Sequence, residues 1–529
     1  MSANAEALPA AAAPAPAAGT ANPWLIAVVV ALAVFMEVLD TTIANVALPY
    51  IAGGLGVSQD EASWVVTTYL VANAIIITAT SFLPQRFGRK AFFLFSLGLF
   101  TLSSILCGMA WNLQSLLLFR VLQGFGGGGM VPVAQSILAD SFPPQKRGQA
   151  FALFGVAVVV APVVGPTLGG WIADNYSWQW NFLINGPVGL GAMALVSVLV
   201  KESAPANKGA RFDLIGFLLV ATFLGSLEVV LDRGLVEDWF GSNFIITFSL
   251  ICALAFVALI PWEAAQKNPT ADVRMIATRQ FGSAFVVMLA TGAILYATTQ
   301  FMPQLVQQQY GYTATWAGLV LSPGGLVTMV MMFVVGQLSS RVQPKYLIAA
   351  GAIIIAISMY GLIDLTPDLN FWFFADSRML LGLGLPLIFL PILGASYDGL
   401  PPGKTDQASA LMNAARNTGG SIGVSIANNV LAHREQFHQS VLTGDAIPSG
   451  IAYQDTLHQV TQYFVAQGSS LVHAQQQAIA WIGQQIQTQA ALLAYVDVFW
   501  TLTLISLAAI PLALLLRKVK LGETAPVGH

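Results

Sequence analysis

Fourteen runs of about 20 mostly apolar residues divide this chain, and each is long enough for a helix to cross a bilayer, whose core offers the backbone no hydrogen-bond partner. The runs fall at Trp24–Pro49, Ala62–Leu83, Ala91–Ala110, Gln114–Leu138, Gln149–Ala173, Asn181–Val200 and Asp213–Asp232. They continue at Asn243–Trp262, Phe281–Pro303, Ala314–Ser339, Tyr346–Asp364, Trp372–Tyr397, Asp406–Leu431 and Ala491–Leu516. Only 9% of the 529 residues are charged, where a soluble domain carries about 25%, so most of the chain is not built to face water. The basic and acidic residues, 22 and 25, nearly balance. That balance favours neither nucleic acid nor an acidic ligand.

Charge placement tests the span count. Seventeen of the 22 Lys/Arg residues, among them Arg86, Arg89, Lys90, Lys146, Lys201, Arg341, Lys404 and Lys518, fall in connections on one side. The other side holds Arg233 and Arg434, and Arg120, Arg378 and Arg416 lie within spans. Basic residues stay cytoplasmic, so both termini are expected there, and an odd number of spans would scramble the segregation. Residues 1–23 are Ala/Pro-rich without a basic n-region, which reads as a disordered cytoplasmic tail rather than a secretory signal. Cys107 and Cys252 both lie in apolar runs and imply no disulfide framework.

The chain repeats itself. Arg120 to Leu153 aligns without a gap on Arg378 to Leu411, with 12 of 34 positions identical, including Arg120/Arg378, Gly124/Gly382 and Asp140/Asp398. A weaker match pairs Leu83, Arg86 and Lys90 with Leu338, Arg341 and Lys345. Spans 1–6 therefore correspond to spans 9–14, and both copies run in the same direction. The expected fold is an all-α integral membrane protein with two parallel six-helix bundles, at 24–200 and 281–529, and two inserted helices within 201–280. Parallel repeats with a binding site near the midplane are a transporter architecture.

Ionisable residues inside spans are costly and carry the functional expectations. Glu37 and Asp40 share a face of span 1. A rise of about 1.5 Å per residue puts Asp40 and Arg120 of span 4 at similar depth. Burial favours the neutral carboxyl and a nearby cation favours the charged one, so Asp40, with Glu37 and Arg120, is the expected proton-coupling group; a static ion pair fixing helix register is the plainer alternative. Arg416 is expected to neutralise a carboxylate or an anionic group. Glu37, Asn45, Gln300, Asn413 and Arg416 are assigned as substrate contacts. Arg378 is expected to pair with Asp376, Asp364 or Asp497, and Glu228 and Asp232 to face water or Arg233. Gly124 and the run Gly126–Gly129 read as close-packing positions. The segment Gly155–Gly170, with Gly165, Pro166, Gly169 and Gly170, reads as a bent helix at a moving interface.

Two patterns mislead. DGLPPGKT, Asp398 to Thr405, lacks the first glycine and the preceding strand of a phosphate-binding loop. His433, His438, His458 and His473 share one connection, residues 432–490, without metal-ligand spacing. No cofactor and no metal are expected, and no nucleophile–base pair marks an enzyme. That long connection holds 13 glutamines in 59 residues and alternates apolar with polar residues in a helical pattern, fit to cap the molecule or to meet a partner.

Taken together, these segments resemble the major facilitator superfamily, in its fourteen-helix drug:proton antiporter branch. LDTTIANVALP (Leu39 to Pro49) resembles the branch's span-1 signature, and SFLPQRFGRK the loop 2–3 motif, with Arg86, Gly88, Arg89 and Lys90 present. The loop departs from the usual pattern at Ser81, where glycine is common, and at Gln85, where aspartate is usual. RVLQG (Arg120 to Gly124) resembles the span-4 motif associated with proton transfer, the Gly165-Pro166 and Gly169-Gly170 pattern the span-5 antiporter motif, and WQWNFLINGPVG (Trp178 to Gly189) the start of span 6. HREQFHQS (His433 to Ser440) and the glutamine-rich connection resemble the EmrB-type exporters. The resemblance implies an alternating-access, proton-coupled multidrug efflux antiporter of the inner membrane. It also implies a periplasmic adaptor of EmrA type and an outer-membrane channel of TolC type. A dedicated exporter of one metabolite, such as a fatty acid or antibiotic, and a non-transporting channel or sensor are the alternatives on the same fold.

Overall fold

The computed structural model describes residues 22–202, 212–266, 269–398, 400 and 404–518, which are helical with short connections and include no strand. Residues 1–21 of the expected tail, with Lys208, Arg211, Lys267, Pro401, Pro402 and Lys520, lie outside the described residues.

The first bundle comprises α1 (Pro23–Leu55), α2 (Gln59–Ala79), α3 (Arg89–Gly108), α4 (Leu113–Ser141), α5 (Pro144–Asn175) and α6 (Trp180–Leu199). Then follow α7 (Leu214–Arg233) and α8 (Asn243–Ala265). The second bundle comprises α9 (Arg279–Tyr310), α10 (Ala314–Leu338), α11 (Pro344–Gly361), α12 (Phe371–Ser396), α13 (Thr405–Asp445) and α14 (Leu471–Leu514). Thirteen of these are long and apolar enough to span a membrane. The fourteenth, α13, is long enough but carries Asn413, Asn417, Ser421 and Ser425 at four-residue spacing, a polar stripe that a helix buried between others and facing a cavity can carry.

Local chemistry sets the ends. Ser58 and Glu61 form a capping box at α2, as do Asn112 and Ser115 at α4. Gly88 turns the chain into α3 at φ +94, a conformation that glycine adopts freely, and Glu202 accepts the Arg89 and Lys90 backbone N–H groups at 2.8 and 3.2 Å. A carboxylate there satisfies orphan donors and the positive helix end.

Within the first bundle α1 packs on α5 and α6, and α4 on α2 and α3; within the second α9 packs on α13, α12 on α10 and α11, and α14 on α11 and α13. The bundles meet along α5–α10 on one side, and through α2 and α4 against α13 on the other. The inserted α7 lies beside α2 and α13, while α8 packs on α7 and turns Leu250, Leu254 and Val257 outward. Outward-facing apolar side chains are what a membrane-facing helix presents, since lipid is as apolar as leucine.

The 432–490 connection is mostly helix. The α13 helix continues to Asp445, a helix spans Ile451–Ala466, and α14 begins at Leu471, far ahead of the expected Ala491. Glutamine is a good helix former and a poor lipid-facing residue, so these extensions are helical yet fall outside an apolar span. Asp497 of α14 ties them together, accepting Arg434 Nε at 2.6 Å with His438 Nε2 at 2.8 Å. None of the expected pairs of Arg378 with Asp376, Asp364 or Asp497 occurs among the described residues. Arg378 is buried with Nε and Nη1 unpartnered, because its neighbour α9, unlike α1, carries no carboxylate.

Candidate functional site

Span 1 places its two acids in different surroundings. Asp40, 1% exposed, accepts Arg120 Nη1 at 2.7 Å and Asn185 Nδ2 at 2.7 Å. Asn185 also donates to Ser104 at 2.9 Å. Arg120, fully buried, donates through Nε to the Val65 carbonyl at 3.0 Å and through Nη1 to Gln123 at 2.8 Å. Its guanidinium carbon stands 4.2 Å from the Tyr69 ring centre and 5.5 Å from that of Phe182. This is a closed ion pair, with both partners supplied with further hydrogen bonds.

Glu37, one turn earlier, faces a cavity of about 260 Å³ between the bundles, just below the usual size range of ligand sites. It accepts Tyr69 Oη at 3.0 Å and Asn73 Nδ2 at 3.2 Å. Asn73 Oδ1 in turn accepts Asn417 Nδ2 at 3.2 Å, and Asn417 Oδ1 accepts Arg416 Nε and Nη2 at 3.3 and 3.2 Å. Two amides thus join the acid of α1 to the guanidinium of α13, across the interface between the bundles. Arg416 Nη1 keeps a buried N–H without a partner beside the cavity.

Glycines make this proximity possible. A Cβ on Gly124 would lie 2.5 Å from the Tyr69 carbonyl oxygen, and one on Gly128 would lie 2.5 Å from that of Asn73. The glycine run interrupts α4 at Gly128 and Gly129 and lets α2 deliver Tyr69 and Asn73 to Glu37. On the opposite side of α1, a Cβ on Gly165 would fall 1.9 Å from Thr42 Oγ1, and one on Gly169 would fall 3.1 Å from Ile43 Cα. The α5 helix, with Pro162 and Pro166 inside it, is thus seated on α1 beside Asp40. Gly170 is buried on the same helix.

Gly165→Ala is expected to destabilise the protein by about 1–3 kcal/mol through overpacking, and Thr42→Ala in the same chain to restore part of the loss. Thermal unfolding of the single and double variants, followed by tryptophan fluorescence, measures both. Full additivity of the two changes would remove Thr42 as the clashing partner.

The cavity is sealed on the face that bears the basic connections. Arg89 grips Asp406 of α13 through Nε and Nη2, both at 3.0 Å, and pairs with Asp140 of α4. Above that lock Gln135 of α4 accepts Asn413 Nδ2 at 2.8 Å and lies 2.8 Å from Ser409 Oγ. The cavity extends the other way, toward Leu48, Ser63, Val236 and Asn428.

Of the residues expected at the site, Glu37, Asn45, Arg120, Gln300 and Arg416 line the cavity. Asp40 stands behind Arg120, and Asn413 sits in the seal below. Gln85, where the usual loop pattern has aspartate, donates to the Ser81 carbonyl at 3.0 Å, and Arg89 carries the cross-bundle link instead. Arg86 makes no hydrogen bond or ion pair among the described residues. Sequence reasoning missed Tyr69, Asn73, Tyr296, Asn417 and Ser421, and misplaced Glu228, all of them at the cavity. Tyr69 with Asn73, and Asn417 with Ser421, recur at four-residue spacing within apolar runs, and that spacing was the available signal. Glu228 is not turned to water or Arg233, which bonds Glu237 at 3.1 Å. No group of three or more His, Cys, Asp or Glu suited to a metal occurs among the described residues.

Comparison with known proteins gives a consistent result. The family model of the Major Facilitator Superfamily matches residues 30–424. The Multidrug export protein EmrB of Haemophilus influenzae is 36% identical over 477 residues, covering 90% of this chain and 92% of that protein. The Fatty acid resistance protein FarB of Neisseria gonorrhoeae is 34% identical over 503 residues, covering 95% and 97%. Among solved structures, the human organic anion transporter MFSD10 (TETRAN) has the same fold, with a TM-score of 0.56 at 13% identity over 92% of this chain and 99% of that one.

Proposed function

The chain belongs to the Major Facilitator Superfamily, and from that membership we propose that it exports small amphipathic or hydrophobic compounds by alternating access, in exchange for protons taken up at Asp40. It is a multi-pass membrane transporter related over nearly its full length to multidrug export proteins. The observation that carries the coupling is the Asp40–Arg120 pair: Arg120 forms part of the cavity wall while Asp40 lies behind it. A proton arriving on Asp40 removes the charge that holds Arg120, and the freed guanidinium repacks the wall. Only an event that interacts differently with the two conformations can shift their balance, and breaking a buried ion pair is such an event. Glu37 and Arg416 are read as the contacts that orient the substrate, together with Asn45 and Gln300 at the cavity wall.

We place the protein in the inner membrane with the Arg89 face cytoplasmic, on the rule that basic connections stay inside. The cavity then opens outward. The helical extensions of α13 and α14 project from that outer face and expose Phe437, Val441, Leu471 and Val472. An apolar projection of this kind supports docking of an EmrA-type adaptor that hands substrate to a TolC-type channel.

Similarity to the fatty acid resistance protein favours a second reading, a dedicated exporter of fatty acids, for which Arg416 would meet the carboxylate. Proteoliposomes under an imposed pH gradient, given a panel of fluorescent amphipathic dyes and a labelled fatty acid, decide between them. Gradient-driven movement of several unrelated dyes supports the broad exporter. Movement of the fatty acid alone supports the narrow one, and passage that dissipates without counterflow of protons defeats both.

A further inference from the structure

The inserted helix α7 belongs to the cavity. It packs against α2 of the first bundle and α13 of the second, closing the gap between them. Its end is fastened to α2: Arg233 Nη1 donates to Ser63 Oγ at 2.6 Å, its guanidinium stands 4.8 Å from the Trp64 ring centre, and Asp232 accepts the Thr67 hydroxyl. One turn deeper, Glu228 is 6% exposed and lines the cavity. It accepts the Ser421 hydroxyl of α13 at 2.6 Å. No basic side chain lies within ion-pairing distance of Glu228 among the described residues.

That sets Glu228 apart from Asp40 and Glu37; Asp232, also at the wall, accepts Thr67 and adjoins the Arg233 charge. Arg120 holds Asp40, Arg233 holds Glu237, and Glu37 accepts two donors and is linked by amides to Arg416. An ionised carboxylate that is buried without a counter-charge is costly, and one hydroxyl does not offset the lost water. A cationic ligand supplies the missing charge. The cavity wall also includes the apolar side chains of Val66, Leu70, Leu231 and Val424, which suits a body that carries its charge within hydrocarbon.

We propose that Glu228 of the inserted helix is the anchor for monovalent organic cations of the quaternary phosphonium or ammonium class, and that α7 thereby sets which charge type this cavity accepts. The proposal rests on the reading of this cavity as the transport cavity. It gives the inserted pair a role that neither bundle supplies, since the anchor lies where both bundles border α7.

The test is equilibrium binding of labelled tetraphenylphosphonium, with the neutral dye Nile red as reference, to the purified full-length protein and its Glu228→Gln and Glu228→Asp variants. Glu228→Gln is expected to weaken the phosphonium at least tenfold relative to Nile red, about 1.4 kcal/mol, and Glu228→Asp to retain part of the preference. Equal loss of both ligands would overturn the proposal as a structural effect, and so would unchanged phosphonium affinity. Wild-type protein that binds Nile red but no phosphonium would overturn it too. Proteoliposome export of Nile red is measured alongside. If wild type exports nothing while Glu228→Gln still loses the phosphonium selectively, the transport reading fails and the anchor stands. If export proceeds while the selectivity is absent, the anchor fails and the transport reading stands.

Discussion

Asp40→Asn is expected to abolish export driven by a pH gradient, by at least a hundredfold, while leaving substrate binding measurable. Asparagine keeps the size of the side chain and cannot carry a proton between faces. It also leaves Arg120 fully buried with its carboxylate partner gone, and an uncompensated buried charge costs about 3–5 kcal/mol. Loss of transport alone would therefore not separate coupling from collapse. The double change Asp40→Asn with Arg120→Gln removes both charges and is expected to recover most of the thermal stability without recovering gradient-driven export. Recovery of both would mean that the pair is a structural clamp. Persistent gradient-driven export in the single variant would move the proton site to Glu37, the other acid of α1.

The second large effect is expected at Arg89. Its bidentate grip on Asp406 and its pair with Asp140 hold α3, α4 and α13 together on the face that closes the cavity. Arg89→Ala removes the cation that bridges Asp406 of α13 to Asp140 of α4, so the lock across the bundles is lost. A charged hydrogen bond contributes on the order of 1.5–3 kcal/mol, enough to change a conformational ratio by roughly ten- to a hundredfold. The readout is a cysteine placed at Ser409, beneath the cavity and just inside the lock. Its labelling by a membrane-impermeant thiol reagent added from the Arg89 face is expected to rise at least tenfold in the alanine variant. Arg89→Lys is expected to fall between, because an ammonium keeps the charge but loses the planar fork. Labelling that stays at the wild-type level would show that the Gln135 layer alone seals this face.

How much of this could be read without coordinates differs between elements. The spans were legible because a bilayer allows a spanning helix few exceptions, and the repeat was legible because Arg120 and Arg378 open two aligned segments. Yet the repeat misled at its own first residue. Arg120 meets Asp40, while Arg378 meets no acid among the described residues, because the helix that corresponds to α1 carries none. Likewise the 432–490 connection showed a helical pattern, but not that it is continuous with α13 and α14. Asp497 and Arg434 are 63 residues apart, and nothing local announces their pairing.

The sequence by itself determined the all-helical membrane architecture, the pairing of the halves and the depth match of Asp40 with Arg120, since each follows from hydrophobic length, helical rise or a repeated string of residues. Only the tertiary structure decided which carboxylate faces the cavity, that Asn73 and Asn417 join Glu37 to Arg416, that Asn413 belongs to the seal, and that Glu228 reaches the wall without a cation. Those outcomes depend on how helices are rotated about their axes and how closely they approach. Both are set by contacts such as Gly124 on Tyr69 and Gly165 on Thr42, where the partners lie 55 and 123 residues apart in the chain.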